Sequence, residues 1–153
     1  MWVPCAAGRV VEISRLEGMT SSATVRPLVV LDCDSTTIQD EVIELLAESA
    51  GTRAEVAEVT ERAMRGELDF AESLRERVAT LAGTPDTVFS EAYSKVRKSA
   101  GIDALVNEVH ARGGLVGVVS GGFHEVLDPL AVDLGPDHWR AHRLGVVDGR
   151  LPG

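Results

Sequence analysis

Apolar residues along this chain follow two different rhythms. Residues 27–32, PLVVLD, form a β-branched run without helical period, which predicts a fully buried strand of a parallel sheet, led by Pro27. Helical spacing follows. Ile38, Val42, Leu45, Leu46 and Ser49 fall on one stripe that stops at Gly51. TRAEVAEVTERAMRG predicts a second helix, with Thr52 as N-cap and Gly66 as its stop. LDFAESLRERVATLAG predicts a third, capped at Asp69 and ended by Gly83, and TPDTVFSEAYSKVRKS a fourth, with Pro85 near its first position. After Gly101 the rhythm changes again. IDALVNEVHARGG reads as a helix, LVGVVS as a second buried strand, and GGFHEVLDPLAVDLG as a helix containing Pro129. HRLGVVDGRLPG reads as a third strand and a glycine turn.

This order predicts an α/β fold with four helices inserted after the first strand. The expected division is an N-terminal extension over 1–27, a partial parallel-sheet core over 28–39 and 99–153, and a helical cap over 40–98.

Charge narrows the function classes. The formal net charge of −9 argues against nucleic-acid binding, which depends on Lys and Arg meeting phosphates. Between Asp40 and Arg77 eleven Asp and Glu face five Arg, a surplus that reads as a solvated helix face. No apolar run approaches the roughly 18 residues of a membrane span. Cys5 and Cys33 make no disulfide framework, so a reducing cytoplasm is expected. Arg9, Glu12, Arg15 and Glu17 break any signal-peptide core in the first 27 residues, and Met19 is an expected alternative start.

The chemistry gathers at two strand ends. Ligands in open α/β sheets bind beyond the carboxyl ends of the strands. The first end carries LDCDSTT, with Asp32, Asp34, Ser35 and Thr36; the second carries Ser120, Gly121 and Gly122 before a helix. Either alone reads as helix caps or turn chemistry. Together they suit a hard cation and a phosphate: carboxylates for the metal, small residues and a helix start for the anion.

In order along the chain, DCDST, Glu41, AMRGELDF, Arg77, SGGF and DGRLPG resemble the haloacid dehalogenase-like phosphatases, and within them the branch that hydrolyses O-phosphoserine. The resemblance covers residues 28–153. It implies a Rossmann-like parallel-sheet core, incomplete at about three strands, with the four-helix cap inserted after the first strand. It implies that Asp32 is the nucleophile forming an aspartyl-phosphate and that Asp34 is general acid and then base. Asp32 and Asp34, the latter through its backbone carbonyl, would hold Mg²⁺. Ser120 and the Gly121 amide would hold the phosphate, Glu41 and Arg77 the substrate's ammonium and carboxylate, and Met64 and Phe70 would line the cap side. Without the resemblance, Glu41 reads as a charge favouring a helix N-terminus, Arg77 as solvated, and Met64 and Phe70 as core.

The resemblance further implies a later lysine and a Gly-Asp-Gly-x-x-Asp loop. The last lysine here is Lys98, and no such loop follows Gly149. An incomplete phosphate and metal site is therefore expected, with the first strand as an exposed apolar edge open to self-association or to a complementing chain. Two alternative expectations stand beside phosphoserine hydrolysis. One is an inactive fragment or non-catalytic phosphate-binding module; the other is a phosphotransferase or a phosphatase for another small metabolite.

Overall fold

The computed structural model describes residues 26–153 and the backbone of two short strands, β1 (Val3–Pro4) and β2 (Val10–Val11), which pair antiparallel. The expectations for residues 1–25, including a start at Met19, lie outside the described residues.

The sheet that positions the site has three strands in the order β3 (Leu28–Asp32), β4 (Leu115–Phe123) and β5 (His138–His142), all parallel. Strand alternation gives it two unlike faces. Val29 and Leu31 of β3 and Val116 and Val118 of β4 face the helices α5 (Ile102–Ala111) and α6 (His124–Leu134). On the other face Leu28, Val30 and Val119 are 63%, 60% and 53% exposed. β3 is therefore an edge strand with an uncovered apolar face among the described residues.

Four helices lie between β3 and α5 in sequence: α1 (Val42–Ala50), α2 (Arg53–Met64), α3 (Phe70–Ala79) and α4 (Val88–Ser94). Val42, Leu46, Val56, Val88 and Ala92 from these helices share one buried cluster with Val118, Phe123, Leu127 and Leu130 of β4 and α6. No helix among the described residues is long and apolar enough to cross a membrane.

Three sequence expectations shift. First, α1 starts at Val42, not near Ile38. Ile38 bridges Lys98, and the Gln39 N–H donates to the Arg97 carbonyl at 2.8 Å, so backbone pairing takes this segment out of the helix. Second, β4 runs through Ser120, Gly121 and Gly122 to Phe123, so α6 begins only at His124. Third, β5 ends at His142, where the expected third strand begins. Residues 143–153 instead hold two isolated bridges, Val147 to Arg150 and Pro85 to Arg150.

The early placement of β5 has a visible cause. His124 Nδ1 donates to Asp128 at 2.7 Å, the Trp139 indole N–H donates to the same oxygen at 2.7 Å, and the Ala141 N–H donates to His124 Nε2 at 3.2 Å. These bonds tie HWRAH to α6 and also account for a histidine at position 124.

Candidate active site

Asp32 ends β3, and the chain then makes a wide, tightly bonded turn. The Cys33 N–H donates to Asp32 Oδ1 at 2.8 Å, the Thr37 hydroxyl to the Asp32 carbonyl at 2.6 Å, and the Ile38 N–H to the Cys33 carbonyl at 3.0 Å. Inside the turn Asp34 is extended and Ser35 has φ 52°. This turn brings Asp34 and Ser35 beside Glu41, the N-cap residue of α1.

A cavity of about 260 Å³ opens above this turn. Asp32, Asp34, Ser35 and Glu41 line one side; Phe70, Leu74 and Arg77 of α3 line another, and Gly121, Gly122 and Phe123 of β4 a third. Its size suits a small metabolite, being below the roughly 300–1,000 Å³ of drug-sized pockets.

Charge in the cavity is uneven. Three carboxylates, Asp32, Asp34 and Glu41, face one guanidinium, Arg77. Burial, then the charges of Glu41 and Asp32, push the Asp34 carboxyl up to about 7, against the pull of the Val42 N–H and Arg77. Asp34 Oδ1 is buried with no hydrogen-bond partner. Neighbouring Cys33 is buried, and burial, then the Asp34 charge, push its thiol up to about 12, which disfavours the reactive thiolate.

The donors at Asp32 and Asp34 are all oxygens, and one of them is an unpartnered buried oxygen. No group of three or more His, Cys, Asp or Glu side chains converges to hold a metal among the described residues. That set fits a hard cation of the Mg²⁺ type, which keeps waters and substrate oxygens around one or two carboxylates. It does not fit a caged transition metal.

Six of the eight residues expected from the sequence, Asp32, Asp34, Glu41, Phe70, Arg77 and Gly121, lie on this one cavity. Met64 and Ser120 do not line it. Met64 ends α2 with 84% of its surface exposed, off the stripe of Val56 and Val59 that faces the core. Strand alternation turns Ser120 inward, where its Oγ accepts the Gly122 N–H at 2.8 Å, while Gly121 is exposed.

Sequence reasoning passed over Ile43, Leu74 and Phe123 as wall residues, and named Ser35 and Gly122 at the strand ends without giving them a role. A signal for Leu74 was available: Phe70, Leu74 and Arg77 recur at i, i+4 and i+7 on α3, one helix face. Gly122 matters by absence of a side chain. A Cβ there would stand 3.1 Å from Ser120 Oγ, 3.2 Å from Val42 Cβ and 3.4 Å from Asp34 Oδ2.

Comparison with known proteins agrees with this geometry. Residues 29–153 match the family model of the haloacid dehalogenase-like hydrolases. A phosphoserine phosphatase of Streptococcus thermophilus is 55% identical over 129 residues, 84% of this chain and 60% of that protein. One from Lactococcus lactis is 50% identical over 126 residues, 82% of this chain and 58% of that protein. A solved phospho-aspartyl intermediate analogue of a phosphoserine phosphatase superposes with a TM-score of 0.76 at 37% identity, over 83% of this chain and 61% of the other. A substrate-bound phosphoserine phosphatase gives 0.77 at 36%, over 83% and 60%. The chain thus spans about 60% of the length of these relatives.

Proposed function

The chain belongs to the haloacid dehalogenase-like hydrolase family, and on that premise we propose that its cavity serves hydrolysis of O-phosphoserine to serine and phosphate. The observation that carries this reading is the meeting of Glu41 and Arg77 with the Asp32 and Asp34 pair on one small cavity. A carboxylate suits the ammonium of an amino acid, and a guanidinium suits its carboxylate, so the two together favour a phosphorylated amino acid over a bare phosphomonoester.

In this reading an Asp32 carboxylate oxygen attacks phosphorus and the bond from phosphorus to the serine oxygen breaks. Asp34 gives its proton to that leaving oxygen. Covalent capture divides one difficult displacement into two easier ones. The Asp34 carboxylate then takes a proton from water, the water oxygen bonds to phosphorus, and the bond to Asp32 breaks, freeing inorganic phosphate. An acid near pH 7 suits both proton transfers, because it is available in either state at neutral pH. Gly121 and Gly122 allow close approach of the phosphate, and Ser120 orients the Gly122 amide from behind. Phe70 and Leu74 exclude water from the cap side. A divalent cation such as Mg²⁺, held by the Asp32 carboxylate and the Asp34 backbone carbonyl, would offset phosphate charge and leave the Asp34 carboxyl free for proton transfer. The reading also places the chain in the cytoplasm, as part of serine supply, where a free buried thiol such as Cys33 persists.

The test is Mg²⁺-dependent phosphate release from O-phosphoserine by the purified chain and by Asp32→Asn. Release abolished in the variant supports the reading. Phosphoserine bound by both, with phosphate released by neither, would instead favour a non-catalytic phosphate-binding module.

A further inference from the structure

Glu41 occupies the N-cap of α1, yet its side chain does not cap the helix. Its Oε1 accepts a 2.6 Å hydrogen bond from Ser35 Oγ. That single bond fixes the carboxylate's rotation and leaves Oε2 for a cationic group. Ser35 is itself held in an unusual state. Among the described non-glycine residues only Ser35 and Asp148 have positive φ, at 52° and 50°. Such a conformation costs an ordinary L-residue about 1–2 kcal/mol. The Ser35 N–H donates to the Asp40 carbonyl at 3.2 Å, which holds the loop in this shape.

Asp40 in turn is anchored to Arg97, beyond the last inserted helix. Its side chain is 8% exposed and accepts three bonds from Arg97: from the backbone N–H at 2.8 Å, Nε at 3.0 Å and Nη2 at 2.6 Å. The Gln39 side chain donates to the Lys98 carbonyl at 3.0 Å, and the Ser99 N–H to the Thr37 carbonyl at 2.9 Å. Residues 37–40 and 97–99, the two crossings between sheet and helices, are therefore laced together. The lacing ends at the Ser35 hydroxyl.

We propose that Ser35, held by Asp40 and Arg97, is a positioning residue for selectivity that aims the Glu41 carboxylate at the substrate's ammonium group. This inference rests on the reading of the cavity as a phosphoserine site. In it Ser35 touches neither phosphorus nor the leaving oxygen. It raises affinity for a ligand carrying an ammonium group and does nothing for one that lacks it.

The test compares two ligands by titration calorimetry with Mg²⁺ present, in the Asp32→Asn background so that neither is consumed. One is O-phosphoserine; the other is 3-phosphoglycerate, in which a hydroxyl replaces the ammonium. Ser35→Gly removes the hydroxyl but accepts positive φ, so the loop keeps its shape; melting temperature checks the fold. The expected result is a preference for phosphoserine that falls about tenfold in Ser35→Gly, the scale of one hydrogen bond to a charged group. The affinity for 3-phosphoglycerate stays within about twofold. Arg97→Gln, which releases the outer anchor, is expected to lower the preference in the same direction. An unchanged preference in Ser35→Gly, or equal weakening of both ligands, overturns the positioning role while leaving the phosphoserine reading intact. No preference in the parent chain overturns both.

Discussion

At the scale of single residues the site is a compromise between stability and chemistry, and Asp34 shows its size. The ordinary carboxyl value is 3.8, and in the folded chain burial first, then Glu41 and Asp32, raise it to about 7. The folded state therefore holds the Asp34 proton more tightly than the unfolded state. Stability lost to this group grows as pH rises from about 4 and levels off above about 7. Asp34→Asn, measured by urea unfolding with a chelator present, is expected to stabilise the chain by about 2–4 kcal/mol at pH 8, and by clearly less at pH 5. A gain independent of pH would mean that the carboxyl is not ionising against burial. The aspartate pair was legible in the sequence because it follows an apolar strand. The raised value was not, since Glu41 and the burying residues of α1 and β4 meet Asp34 only in space. The adjacent glycines make a second comparison. A Cβ on Gly121 would meet Phe70 Cζ at an ordinary 3.6 Å, whereas one on Gly122 would crowd Ser120, Val42 and Asp34 at 3.1–3.4 Å. Thermal melts are expected to show Gly122→Ala about 1–3 kcal/mol less stable, the usual cost of overpacking, with Gly121→Ala near the parent.

At the scale of elements, α3 is the inserted helix that faces the cavity, and its start is fixed by a reciprocal hydrogen-bonded cap. Asp69 Oδ1 accepts the Glu72 N–H at 2.8 Å while Glu72 Oε2 accepts the Asp69 N–H at 3.0 Å. Phe70, Leu74 and Arg77 follow on one face, so fraying the first turn moves the aromatic and loosens the guanidinium. Asp69→Ala is expected to cost about 1 kcal/mol in urea unfolding and, on the proposed reading of the cavity, to weaken phosphoserine binding severalfold. Binding at parental strength despite that loss would show that Arg77 is set by the last turn alone, where its Nε donates to the Ser73 carbonyl at 3.2 Å. Asp69 was legible as a cap because Asp-x-x-Glu precedes an amphipathic run. The start of α1 was not, because Ile38 is drawn into pairing with Lys98, sixty residues later in the chain. The third strand was misplaced for a related reason. In HWRAH only Trp139 and Ala141 turn inward, too faint an alternation to read beside LGVV, and the decisive bonds come from His124 and Asp128 on another helix.

At the scale of the whole molecule, one sheet face and the free edge of β3 are open to solvent among the described residues. Leu28 and Val30 stand on that face of β3, with Val119 beside them on β4. An exposed, flat, apolar edge strand invites pairing with another chain, through backbone hydrogen bonds along the edge and apolar burial on the face. The net charge of −9 opposes such pairing between copies. Its reach is about 8 Å at physiological ionic strength and about 3 Å in 1 M salt, so added salt weakens the repulsion and leaves the apolar attraction in place. The apparent mass of the chain in sedimentation velocity is therefore expected to rise with concentration, and to rise further in 1 M salt. Val30→Lys places a charge on the open face of the edge strand without entering the core, and is expected to suppress both trends while leaving the melting temperature within a few degrees. A variant that associates as the parent does would move the sticky surface elsewhere on the molecule. A parent that stays monomeric at every concentration and salt would show that this face alone does not bring copies together.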